Sequence, residues 1–291
     1  MKNIDFENTY LSRIEKSITS DQLKQIELSI LKTFADFCKK NKLTYFLVAG
    51  TLIGALRYQD FIPWDDDIDV VMPRPEYEKF ITLAGEYLDH YKVRHYKYTP
   101  QLQLHDKPFL RIVDEQYLAH LSSGIRFLPP WIDVLPIDGL PDNEMEYRKF
   151  MSQALKLRRD IGRCRFEVLT DPLNLSSQGL IIGIKNKIKK LAFLPYKWIG
   201  SQYFLKKLDR LAQTYDYKSA SWVGFIVGGY GISERYPKNT FQSAVQVYFS
   251  NGWYDAPEAY EKYLSQLHGN YLRAPSLQQQ KTHVLQAWRL K

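Results

Sequence analysis

The stretch IPWDDDIDVVMPR, residues 62–74, sets four carboxylates within five positions, Asp65, Asp66, Asp67 and Asp69, and runs straight into β-branched and apolar residues. Such a tract is either an acidic solvated turn or a seat for a cation. Asp67 and Asp69 are spaced i, i+2 on an expected strand, so their side chains leave the same face. Two carboxylates that close repel each other, and one resists ionisation unless a cation lies between them. Mg2+, or Mn2+ in its place, suits the pair, since it takes a few carboxylate oxygens, keeps waters and completes its shell with substrate phosphates. Asp65 and Asp66, in the turn after Pro63-Trp64, are either solvated or capping residues or further contacts to a phosphate–metal ligand.

The preceding segment supplies a complementary feature. Gly50-Thr51 ends an expected strand and opens a helix, where backbone N–H groups left unpaired by helix geometry can cradle a phosphate. Glycine at 50 permits close approach, and Gly54 permits tight helix packing. A Gly-Thr turn alone is a weak signal; beside a carboxylate pair it offers anion and cation sites for one phosphate–metal complex. Asp133, in WIDVLPID, stands inside a hydrophobic strand where an unpaired charge is costly, and is the expected third acid. Asp138 reads as a turn residue. Arg57, on the helix after the turn, and Arg111, in another expected strand, are candidate diphosphate clamps or else surface arginines.

These residues need elements to position them. Helices are expected over 21–43, with Asp21 as N-cap, and over 76–91 and 144–163. Strands are expected at 44–50, 68–72, 107–114 and 131–138. Strand, glycine turn, helix, acidic strand, helix and further strands make the first half an α+β (mixed α/β) unit. The expected organisation is a catalytic core over 1–143 and a mainly helical half over 144–291 that completes a cleft. In 179–211, Ile181, Ile184, Ile188 and Leu191 share a face among Lys185, Lys187, Lys189 and Lys190, with Phe193, Tyr196, Lys197 and Trp198 following. That pattern fits a helix lying on anionic lipid or a core-facing helix with a solvated basic face.

Bulk properties bound the classes. The chain has 291 residues, 45% hydrophobic and 14% aromatic, enough for a substantial core. Cys38 and Cys164 form no framework or CxxC, which fits a reducing, cytoplasmic setting. The N-terminal residues lack the apolar core of a signal peptide, and the longest apolar run, 47–56, falls well short of a span of roughly 20 residues. A net charge of +8 favours anionic partners without choosing among them. No GxSxG and no HxxxH occurs, so a serine hydrolase or a helical zinc site finds no support. A nucleic-acid-binding module is disfavoured, because no such motif occurs and DDDID would repel phosphate without a metal.

AGTLIGALRYQDFIPWDDDIDVVMPRPEYEKF, residues 49–80, resembles the signature of the LicD family, which transfers phosphocholine from CDP-choline onto cell-surface glycans and includes fukutin-type ribitol-phosphate transferases. A weaker block matches as PFLRIVDEQ and WIDVLPIDGLP, and a third spans 256–283. The resemblance implies a nucleotidyltransferase-like core sheet flanked by helices. It maps Gly50 and Thr51 onto the phosphate turn, Asp67 and Asp69 onto the metal pair, and Asp133 onto the third acid. The last block departs from the family pattern: His268-Gly269-Asn270-Tyr271 stands where Tyr-Gly-Asp-Tyr is usual, and Ala274-Pro275 where two prolines are usual. His283 lies in this block and is a candidate substrate contact.

The expected reaction is transfer of phosphocholine, or of another CDP-linked alcohol phosphate such as glycerol or ribitol, to a lipid-linked precursor of teichoic acid, lipopolysaccharide or capsule, with CMP released. A true nucleotidyltransferase acting on CTP is the rival reading. Choline has no N–H and is held best by aromatic faces. Tyr58, Phe61, Trp64 and Trp131 are near in sequence, though each also suits a core. The expected location is cytoplasmic, peripheral at the inner membrane face through 181–210.

Overall fold

The computed structural model describes residues 12–98, 107–122, 127–164, 191–280 and 282–291. The protein is α+β. Strand β1 (Ile14–Ile18) leads into α1 (Ser20–Asn41), and β2 (Phe46–Leu47) into α2 (Ala49–Tyr58). Then follow β3 (Ile68–Pro73), α3 (Arg74–Ala84), β4 (Tyr87–Leu88), β5 (Tyr91–Arg94), β6 (Leu110–Val113), β7 (Tyr117–Leu121), β8 (Phe127–Leu128) and β9 (Trp131–Leu140). The second half has α4 (Glu144–Cys164), helical residues 191–199 as α5, α6 (Ser201–Ala212), β10 (Trp222–Gly224), β11 (Tyr236–Pro237), β12 (Ala244–Phe249), β13 (Gly252–Pro257), α7 (Tyr260–His268) and β14 (Val284–Leu290). The region expected to be mainly helical thus also contributes five strands.

An eight-stranded sheet is organised around β9, which runs parallel to β3 and antiparallel to β6 and β10. The ladder puts Asp69 opposite Asp133 on one side of β9, and Arg111 opposite Asp133 on the other. Three charged residues from three strands therefore lie in one row across the sheet. A smaller sheet, β1-β14-β7-β8, joins the N- and C-terminal strands. The main core packs α1, α2 and α3 on the large sheet through Phe34, Phe46, Leu52, Val70 and Phe80; a second core joins α4 and α6 through Phe150, Ala154, Leu205 and Leu208.

Several element ends differ from the sequence expectation for local reasons. Thr19 rather than Asp21 caps α1: its hydroxyl accepts from Gln22 N, and Gln22 returns a bond to Thr19 N, a full capping box. The strand expected over 44–50 closes after Leu47 because Ala49, at φ 48°, turns the chain into α2. That is an uncommon conformation for a residue with a Cβ, and Tyr263 Oη accepts from Ala49 N at 3.2 Å, within the core. Helix α3 ends at Gly85, φ 61°, short of the expected 91. Asp138 is not a turn residue; it is buried in β9, where Arg74 donates to both its oxygens at 2.6 and 3.0 Å. Ile181, Ile184, Ile188 and the lysines 185–190 lie outside the described residues, so their expected amphipathic face does too.

His95, after β5, is buried, packed 4.4 Å from the ring of Tyr96, and burial, then Lys97 and Arg74, push it down to about 3. The unfolded chain takes up a proton near pH 6.5 that the folded chain refuses until about 3, so stability falls on acidification through that window. The slope from this one group is about 1 kcal/mol per pH unit. Urea titrations of the wild type and His95→Phe from pH 7 to 4 should show the variant losing less stability over that interval.

Candidate active site

Along residues 65–69 the backbone is extended into β3, and side chains alternate in direction. Asp65, Asp67 and Asp69 face one cavity of about 860 Å³, while Asp66 and Ile68 turn inward. Gly50, from the first turn of α2, lines the same cavity. The N-cap residue of α2, Val48, offers no side-chain oxygen, and no hydrogen bond among the described residues uses the N–H of Gly50 or Thr51. These first-turn donors carry the positive end of the helix dipole. Asp65 approaches closely enough that a Cβ on residue 50 would lie 2.4 Å from its Oδ2, so a larger residue there would displace the Asp65 carboxylate. Gly54 has the same kind of role one turn on, where a Cβ would lie 2.6 Å from the carbonyl of Asp60.

Thr51 is buried and its hydroxyl accepts from Asp69 N at 2.8 Å, which ties the helix start to the acidic strand. Its side chain therefore holds the strand in place and does not face the cavity. Asp66 is likewise committed to structure. Its Oδ1 accepts from His283 N at 2.7 Å and its Oδ2 from Val284 N at 2.7 Å, fastening β14 to the acidic loop. His283 Nδ1 lies 3.1 Å from Asp66, 3.5 Å from Asp67 and 3.7 Å from Asp65. The hydrogen bond to Asp66, with Asp67, Asp66 and Asp65 adding their charge, pushes the ring up to about 9, so it is an imidazolium at neutral pH.

His283 offsets only part of the charge of the acidic loop. Burial, then Asp133 and Asp65, push Asp69 up to about 7; burial, then Asp69 and Asp65, hold Asp67 well above the usual carboxylate range. Asp69 makes no ion pair among the described residues. Asp65, Asp66 and His283 also have one ligand atom each within 4.8 Å of one another. That trio already has an internal cation, and Asp66 already accepts from two backbone N–H groups. Asp65, Asp67 and Asp69 line one cavity with carboxylate oxygens of the kind a hard divalent ion takes, although their ligand atoms do not converge as closely as those of that trio.

Asp133 is buried, and Arg111 grips it through Nε at 2.5 Å and Nη2 at 3.2 Å while stacking 4.7 Å from the Trp131 ring. Asp133 therefore acts on Asp69 across the ladder, and Arg111 neutralises Asp133 instead of reaching the cavity. Arg57 does line the cavity: Nη1 donates to Tyr271 O at 3.4 Å and Nη2 to Tyr58 Oη at 2.9 Å. Trp64 lines it too, edge-on to Tyr58 at 6.5 Å, whereas Phe61 and Trp131 are core residues.

Sequence reasoning missed several residues that the fold brings here. Arg273, Tyr230 and Asn270 line the cavity from the second half of the chain. Glu27, on α1, is fully buried with neither carboxyl oxygen partnered, and burial followed by Asp67 and Asp66 raises its carboxyl well above the usual carboxylate range. Its signal was a charged residue inside the apolar stripe Leu23, Glu27, Ile30, Phe34. Tyr230 and Arg273 lie in irregular loops and had no periodic signal.

Comparison with known proteins gives one family match and three similar proteins. The family described as LicD/FKTN/FKRP, nucleotidyltransferase domain, matches residues 42–125. Lipopolysaccharide cholinephosphotransferase LicD of Haemophilus influenzae is 27% identical over 276 residues, covering 93% of this chain and 98% of that protein. An uncharacterized protein of Rickettsia prowazekii is 32% identical over 63 residues, covering 19% of this chain and 24% of its own, and one of Rickettsia typhi 30% over 69 residues, covering 23% and 22%.

Proposed function

We propose, from the premise that this chain belongs to the LicD family, that it is a phosphotransferase moving phosphocholine from CDP-choline to a hydroxyl of a surface-glycan precursor of the lipopolysaccharide type, with CMP as leaving group. The observation that carries the reading is the meeting, in one cavity, of the open first turn of α2 with Asp65, Asp67 and Asp69. An anion site beside a cluster of carboxylates fits a diphosphate that arrives with its cation.

Mg2+, or Mn2+, held by Asp67 and Asp69 with Asp65 beside them, would supply charge neutralisation for the diphosphate as CMP departs. The chain's own groups bind and orient. The N–H groups of Gly50 and Thr51 take a phosphate oxygen, and Arg57, braced by Tyr271 O and Tyr58 Oη, points its remaining donors at the diphosphate. The acceptor oxygen bonds to the phosphorus that bears choline, the bond from that phosphorus to the CMP oxygen breaks, and the hydroxyl proton passes to a carboxylate of the acidic strand. Asp133, paired to Arg111 and next to Asp69, sets the charge that Asp69 experiences. Positioning and electrostatics supply most of the acceleration, as for phosphoryl transfer in general.

A lipid-linked acceptor at an anionic membrane surface fits the exposed Leu191, Trp198 and Ile199 of α5 alongside Lys197. No helix among the described residues is long and apolar enough to cross a membrane.

Incubation of the protein and Mg2+ with CDP-choline and a lipopolysaccharide acceptor should release CMP and label the glycan. Pyrophosphate release from CTP, with no CMP from CDP-choline, would identify a nucleotidyltransferase instead. CMP release only with CDP-glycerol or CDP-ribitol would move the assignment to another alcohol.

A further inference from the structure

Tyr230 is half-exposed in a loop that is otherwise closely determined. Phe225, Ile226 and Val227 before it are buried. The buried carboxylate of Glu234 accepts from Tyr230 N at 3.0 Å and Gly231 N at 3.1 Å, and Arg158 donates to the carbonyl of Gly228. A Cβ at Gly228 would lie 2.5 Å from Glu234 Oε1, and Gly231 sits at φ +66°, so the loop is built from glycines around one carboxylate. The product of that construction is a single aromatic ring at the cavity wall, edge-to-face with His268 at 5.3 Å.

Trp64 and Tyr271 also line the cavity. Trp64 meets Tyr58 edge-on, Tyr58 lies under Arg57 at 4.9 Å, and Tyr271 offers its carbonyl to the same guanidinium, so both stand on the arginine side of the cavity. Tyr230 makes no arginine contact among the described residues, and its ring lines the cavity wall next to His268.

Resting on the phosphocholine reading, we infer that Tyr230 presents the π-face subsite that receives the quaternary ammonium of the donor alcohol. A trimethylammonium cannot donate a hydrogen bond, so an aromatic face is the chemistry that recognises it. Glu234 and Arg158 are positioning residues for this ring. The diphosphate lies towards Arg57, and the alcohol is read on the aromatic face across the cavity.

The test compares CDP-choline with CDP-glycerol for wild type, Tyr230→Leu and Tyr230→Phe, following CMP release, with inhibition by tetramethylammonium as a second readout. In Tyr230→Leu the ratio of kcat/KM for choline over glycerol should fall about tenfold and tetramethylammonium inhibition should weaken in parallel, with Tyr230→Phe restoring both. A thermal melt matching the wild type separates this from misfolding. An unchanged donor ratio in Tyr230→Leu, or a change confined to KM for the glycan, overturns the subsite and leaves the parent reading standing. A wild type that never uses CDP-choline fells the parent reading, and the subsite with it.

Discussion

Asp69→Asn is expected to lower CMP release from CDP-choline by roughly two to three orders of magnitude while making the metal-free protein more stable. The two effects share one cause. Asp69 is buried beside Asp133 and Asp65 and pushed up to about 7, so its ionised form is disfavoured by the fold and awaits a cation. The folded state holds a proton that the unfolded chain releases near 4, so without metal this group's contribution falls as pH rises from about 4 to 7, opposite in sign to His95. Asparagine removes the charge at constant shape. Melting curves at pH 7.5 should show a higher Tm for the metal-free variant and a smaller rise on adding Mg2+ than in the wild type. Full turnover in Asp69→Asn, or an equal Mg2+-dependent rise, would remove the acidic strand from the proposed chemistry.

Removal of Arg74 is expected to have the largest effect on stability. It is the first residue of α3 and lies in the interior, where its Nε and Nη2 donate to Asp138 and its Nη1 to Asp209 at 2.9 Å. Asp209 also accepts from Tyr96 Oη at 2.6 Å and Gln213 Nε2 at 2.9 Å. One guanidinium thus connects α3, β9 and α6. Arg74→Ala leaves two buried carboxylates without their counter-ion, which costs about 3–5 kcal/mol. Urea unfolding should show a shift of that size. The triple variant Arg74→Met, Asp138→Leu, Asp209→Leu should recover much of it, because the penalty belongs to the stranded charges and not to the lost pair. A loss below about 1 kcal/mol in Arg74→Ala would show that solvent reaches the network.

Arg74 also shows why part of this protein was illegible in its sequence. Asp138 looked like a turn acid because Gly139 follows it, and its partner lies 64 positions upstream on another element. The same holds for Arg111, which the sequence left as a diphosphate clamp or a surface arginine and which the β6–β9 register sets opposite Asp133. Glu27 was at least visible as an irregularity in an apolar stripe, although what lay above it was not. Helix ends shifted where a better local signal competed, as at Thr19 and Gly85.

By itself the sequence determined whatever depends on local periodicity and sterics. The two-residue repeat puts Asp67 and Asp69 on one side, and the helix start at the Gly50-Thr51 turn leaves backbone donors open. Only the tertiary structure decided which charges are neutralised and which are left for a ligand. Register places Asp133 between Arg111 and Asp69, β14 delivers His283 to Asp66, and two distant loops add Arg273 and Tyr230 to the cavity. The physical reason is that electrostatic energy depends on separation in space and on burial, and neither quantity follows from position along the chain.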